Sequence, residues 1–140
     1  MAAKGEVRWP GGALKRVAGG FTLIELIVVM AIVALLASIA APRYFNALQR
    51  SKETALLHSL TTMRDAIDQY AADRGRYPES LQALAEARYL REVPEDPLTG
   101  ARDSWVELPP PADMQAAGQL WDVRSGAAGR SGDGRLYADW

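Results

Sequence analysis

Hydrophobic positions fall into two regimes along this chain. From Phe21 to Ala41 the residues read FTLIELIVVMAIVALLASIAA, twenty-one positions in which Glu25 is the single charge. At 1.5 Å rise per residue, a helix of that length matches the ~30 Å hydrocarbon thickness of a bilayer. Further on the pattern turns amphipathic: Leu56, Leu60, Met63, Ile67 and Tyr70 are spaced four, three, four and three, along one helical face. Helix propensity is high from Ala47 to Ala72, and Gly75 with Pro78 behind it supplies a stop. The pattern therefore predicts one helix of about fifty residues, membrane-spanning in its first half and core-facing in its second. Pro42 sits at the junction, where its missing donor and crowded ring let the helix bend or partly unwind. Residues Gln49 to Thr54 are too polar for bilayer or core and are expected as exposed stem. Arg64, Asp65 and Asp68 fall off the apolar stripe and are expected on a solvated surface.

Beyond Gly75 the elements shorten. The run Tyr77-Pro78-Glu79-Ser80-Leu81-Gln82-Ala83-Leu84 reads as a turn entering a short helix through about Ala87, with Leu81, Leu84 and Leu90 turned inward. Pro94-Glu95-Asp96-Pro97-Leu98-Thr99-Gly100 is a turn-rich loop. The runs Trp105–Leu108 and Leu120–Val123 are expected to pair as antiparallel strands across a proline-rich turn. The glycine-rich stretch Ser125 to Gly134 reads as loop, pinned by Trp140. The expected fold class is α+β: a long amino-terminal helix packed on a small carboxyl-terminal antiparallel sheet with loops.

A carboxylate inside an apolar span costs on the order of 3 kcal/mol, so such residues are usually paired or functional. The competing reading is that Glu25, close to the segment's end, snorkels to the headgroups. The preceding twenty residues carry Lys4, Arg8, Lys15 and Arg16 against Glu6 alone, a basic leader that the positive-inside rule keeps in the cytoplasm while the rest is translocated. An ordinary secretory signal places its small-residue cleavage site after the apolar core, whereas Gly19-Gly20 stands before it. Ala37-Ser38-Ile39 and Ser38-Ile39-Ala40 offer the ordinary alternative. The leader holds four of the 16 basic and one of the 17 acidic residues, leaving 12 and 16, net −4, and no basic face for nucleic acid. There is no cysteine, so a translocated domain forgoes disulfides. Signals for chemistry are poor. His58, the single histidine, lacks neighbours in metal-ligand spacing; Glu79, Glu86 and Asp96 read as surface acids; no nucleophile elbow or phosphate loop is present. The expectation is a protein that is not an enzyme.

The segment GFTLIELIVVMAIVALLASIAAP resembles the amino-terminal signature of type IV pilins and type II secretion pseudopilins. The resemblance implies cleavage by a prepilin peptidase after Gly20, N-methylation of Phe21, an assembly role for Glu25 and a helix-kinking role for Pro42. It divides the chain into a cleaved leader (1–20), a transmembrane and assembly half-helix (21–41), an amphipathic half-helix (42–74) and a periplasmic head (75–140). A methylated amine stays cationic, and a carboxylate of a neighbouring subunit can neutralise it in an apolar core. Small residues Ala31, Ala34, Ala37, Ser38 and Ala41 allow close helix approach. The Tyr77-Pro78 turn and the proline-aspartate-proline loop are similar to those of major, G-type pseudopilins. That resemblance implies an inner-membrane, single-pass subunit of a helical homo-oligomeric filament. Its implied partners are a peptidase, minor pseudopilins, an assembly platform with its ATPase and a secretin. The alternatives are a type IV pilus subunit for adhesion, motility or DNA uptake, and a signal-anchored periplasmic binding domain. No cofactor is expected, with one reservation. Major pseudopilins bind calcium in the loop equivalent to 125–139, through a serine-x-glycine-alanine-aspartate pattern shortened here to Ser125-Gly126-Ala127-Ala128. Asp133 and Asp139 remain as substitute ligands, and a plain glycine loop pinned by Trp140 is the simpler account.

Overall fold

A computed structural model describes residues 1–5, 11 and 19–140; Glu6, Arg8, Lys15 and Arg16 of the basic leader lie outside the described residues. Contacts divide the chain into two units, Met1–Ala40 and Ala41–Trp140. Each is described by itself.

Helix α1, Leu23–Arg74, begins in the first unit and contains Pro42. Its amino-terminal stretch is long and apolar enough to cross a membrane, and none of that stretch is buried among the described residues. Large side chains from Leu23 to Ile39 all face outward, which fits a segment whose apolar cover comes from lipid or from other chains.

In the second unit, the stripe Leu56, Leu60, Met63, Ile67 and Tyr70 is buried, joined by Ala66. It packs against Leu81, Leu84, Leu90, Trp105, Leu120, Val123, Tyr137 and Trp140 to form one core. The helix stops where Gly75 turns left-handed (φ 68°) and its N–H donates to Ala71 O at 2.9 Å, a glycine cap that a side chain would strain. Ser80 caps α2, Leu81–Glu86, by accepting from Ala83 N at 3.1 Å. Buried Leu81 and Leu84 of that helix enter the core, as does Leu90.

Strands β1, Trp105–Leu108, and β2, Asp122–Ser125, form a two-stranded antiparallel sheet with Trp105 opposite Ser125 and Leu108 opposite Asp122. The second strand starts two residues later than its apolar run suggests. Leu120 is fully buried, but its N–H and that of Gln119 donate to Pro78 O rather than to the ladder. The Tyr-Pro turn thus takes the backbone of 117–120 for itself, Tyr77 N donating to Ala117 O at 2.8 Å. Gly118 (φ 119°) lies so close to Tyr77 that any Cβ would collide with the Tyr77 backbone.

Four polar residues behave differently from their sequence pattern. Arg64 is not simply solvated: its Nε donates to Asp122 Oδ1 at 2.8 Å, and Nη2 donates to Val123 O at 3.0 Å and Trp140 O at 2.8 Å. One planar fork therefore ties α1 to β2 and to the end of the described chain. Asp96 is not a surface acid but fully buried. Its Oδ2 accepts from Ser125 Oγ at 2.6 Å and its Oδ1 from Leu98 N at 2.8 Å, so neither oxygen is left without a donor. The stem segment Gln49–Thr54 is not free of the head either. Glu53 Oε1 accepts from Tyr137 Oη at 2.8 Å and Gly132 N at 3.1 Å, while Gln49 Nε2 donates to Tyr137 Oη at 2.8 Å. The carboxyl-terminal loop is seated on α1 through these bonds. Asp65 and Asp68 are exposed, as their pattern suggests.

Two consequences are measurable in the full chain in detergent. Arg64→Ala takes the guanidinium donor away from Asp122, which keeps the Val123 N–H, and from two carbonyls, and is expected to cost about 2 kcal/mol in chemical denaturation, whereas exposed Asp65→Ala stays within about 0.5 kcal/mol. Tyr137 is the second. Burial, and after it the neighbouring Glu53 carboxylate, raises its phenol above the ordinary 10.0. The fold thus favours the neutral phenol. Its contribution is complete below that ordinary value and is lost as pH rises through the higher folded one. Alkaline titration should show a loss of stability starting near pH 10.0, and Tyr137→Phe should flatten that part of the curve.

Candidate functional site

Gly19, Gly20, Phe21 and Thr22 are outside regular structure and exposed, and α1 starts at Leu23. The Gly20–Phe21 bond therefore lies in an accessible stretch directly before a helix. At Gly20 an added Cβ would meet nothing within 4 Å among the described residues. No packing contact among the described residues accounts for that glycine.

Glu25 occupies the third helical position. Its N–H donates to Thr22 Oγ1 at 3.2 Å, and its Oε2 accepts from Thr22 N at 3.5 Å. Together these make a reciprocal capping box, which satisfies donors that a helix start leaves open. The sequence reading passes over Thr22, although threonine three residues before glutamate is itself a capping-box signature. Among the described residues Glu25 has no cationic partner: the ion pairs are Arg64–Asp122, Arg76–Glu79, Arg102–Glu92 and Arg135–Asp133. The carboxylate is thus held at the mouth of an apolar helix by weak local bonds and remains open to a stronger, charged partner.

Pro42 lies inside α1 in the other unit. His58 is exposed on α1, and among the described residues no three His, Cys, Asp or Glu side chains come together as metal ligands. Two positions of the carboxyl-terminal loop are not free for a calcium ion. Ala128 offers no side-chain oxygen. Asp133 is occupied by its own loop, with Oδ1 accepting from Ser131 Oγ and Arg135 N and Oδ2 from Arg135 Nε at 3.0 Å. The Ser131 hydroxyl, then the Arg135 amide and guanidinium, hold its carboxyl below the usual range. Asp139 is exposed in a 3-10 turn, Tyr137–Asp139.

Residues 15–41 match the family model described as a prokaryotic N-terminal methylation motif. Type II secretion system core protein G of Klebsiella pneumoniae is 32% identical over 94 residues, covering 56% of this chain and 67% of that protein. Its counterpart in Klebsiella michiganensis is 33% identical over 97 residues, covering 58% and 68%. A fimbrial protein of Eikenella corrodens is 34% identical over 85 residues, covering 57% and 56%. No solved structure matches the chain significantly.

If Thr22 and Glu25 cap the helix, Thr22→Val removes the Oγ1 acceptor with little change of shape. Hydrogen exchange in micelles should then quicken several-fold at the amides of Thr22 to Glu25 and stay unchanged beyond Val29.

Proposed function

The chain belongs to the family of type II secretion system core protein G, the major pseudopilins, and on that premise we propose that it is processed after Gly20 and polymerises into a periplasmic pseudopilus. The observation that carries this reading is the isolated carboxylate: Glu25 stands in an unburied apolar helix with no cationic partner among the described residues. Cleavage after Gly20 creates an amine on Phe21, four residues before it. Within one chain that amine belongs to the same helix start. Between chains it supplies the missing cation.

In the proposed mechanism the chain first rests in the inner membrane, leader in the cytoplasm and head in the periplasm. A prepilin peptidase cuts the exposed Gly20–Phe21 bond and the new amine is methylated, which keeps it cationic. An incoming subunit then exchanges lipid contacts for helix packing, and its Glu25 is matched to the Phe21 amine of a neighbour. A mis-registered subunit leaves a charge unpaired in an apolar core, which costs several kcal/mol. Correct register is selected by that penalty. Pro42, with no N–H to give, is where the helix can bend or unwind as subunits pack. The role is structural, without catalysis by this chain. Minor pseudopilins, an assembly platform with its ATPase, and a secretin complete the assembly in this reading.

The fimbrial relative favours a second reading, a subunit of a surface pilus. Loss of exoprotein release without loss of twitching in a deletion strain supports secretion; the reverse supports the pilus.

The assembly step is tested by Glu25→Ala. The variant should insert and be processed to a methylated Phe21 terminus, read by mass spectrometry, yet be missing from sheared filaments. Normal filament yield would refute the role of Glu25, and an intact Met1 or a terminus at Ala41 would refute the processing.

A further inference from the structure

Calcium-binding heads of the resembled family use loop carboxylates to gather an ion. In this chain the carboxylates of Asp133 and Asp96 already have donors. Asp133 is consumed by Ser131 and Arg135, and Asp96, which lies beside Ser125 at the start of the loop, is consumed by Ser125 and Leu98. The loop is instead crossed by internal bonds. Arg130 pairs with Leu136 in an antiparallel bridge, Arg130 Nη1 donates to Gly134 O at 2.8 Å, and Ser131 N donates to Arg135 O at 2.8 Å. Gly126 lies directly on Ser104 O, where no Cβ fits, and this brings the loop's start against the residue before β1.

What fastens the closed loop to the rest of the head is Glu53. Its Oε1 takes the Gly132 N–H at one edge of the loop and the Tyr137 hydroxyl at the other. Tyr137 and Trp140 are both buried, their rings packed edge to face at 5.6 Å, with the Arg135 guanidinium 5.2 Å from the Trp140 ring centre. The Arg135–Asp133 pair is more than half exposed on both sides, so by itself it stabilises little. Its effect is to neutralise the loop's own acid. The seat on α1 and the two buried aromatics carry the closure.

We propose that this head is locked without a divalent cation: Glu53 of α1, reaching the loop through Tyr137 and Gly132, fills the bracing role that an ion fills in the resembled heads. The lock rests on the family reading only in taking this loop as the counterpart of the calcium loop. It makes folding and loop closure indifferent to calcium.

Trypsin supplies a readout, because Arg130 and Arg135 are exposed within the loop. Full-length protein in detergent is digested in millimolar calcium and in EGTA, and melted under both conditions. Cleavage after Arg130 and Arg135 and the melting temperature should be the same with and without calcium. Glu53→Ala, which removes the oxygen that accepts both bonds, should speed loop cleavage several-fold in both conditions. Glu79→Ala, on an exposed acid outside the loop, should not. Slower cleavage or a higher melting temperature in calcium would overturn the proposal, as would unchanged cleavage in Glu53→Ala. Neither outcome touches the family reading, which fails separately at the Phe21 terminus.

Discussion

One carboxylate in an apolar helix, with no cationic partner among the described residues, is the constraint on which the rest depends. The first half of α1 has a side-chain surface that nothing among the described residues covers. Water is a poor neighbour for it, at a cost of roughly 25 cal/mol for each Å² of apolar area. Lipid and other copies of the same helix are the neighbours that suit it. Both are featureless as far as register is concerned, because aliphatic side chains pack acceptably at many offsets. In the proposed assembly Glu25 breaks that degeneracy. The capping box with Thr22 gives it a tolerable state in the single chain, and in that proposal a neighbour's amine gives it a better one afterwards.

The second half of α1 works in another way. It is the scaffold on which a small domain without cysteine is organised. Small domains have thin cores and need extra ties. Here the ties are polar, and two of the three run back to the helix. Arg64 grips β2 and Trp140 O with one guanidinium, and Glu53 grips the glycine-rich loop. Asp96 binds the proline-rich loop to the end of β2 through Ser125. Each tie joins segments that are far apart in sequence, so cooperative folding of the head depends on the helix being present.

That distance explains what could be read in advance. The helix, its buried stripe and the glycine stop follow from local periodicity, and the α+β class with a small antiparallel sheet follows from the short alternating runs near Trp105 and Trp121. The Gly20, Phe21 and Glu25 triad is equally local, a linear motif that needs no tertiary contact to be recognised. Thr22 was equally open to reading through its spacing from Glu25. Arg64, Glu53 and Asp96 were not, because their roles depend on partners 58 to 84 residues away, or 29 in the case of Asp96. Polarity alone assigned them to the surface. The start of β2 was misplaced for a related reason: Pro78 O, about forty residues upstream in sequence, captures the amides that would have extended the ladder.

The account turns on where the Glu25 carboxylate goes when chains assemble, and a cryo-EM reconstruction of the filament at side-chain resolution observes it directly. The prediction is that each Glu25 lies within ion-pair distance, about 4 Å, of the Phe21 nitrogen of a neighbouring subunit. A map in which Glu25 faces its own Thr22 amide alone, with every neighbouring amine beyond about 8 Å and screened from it, would contradict the account.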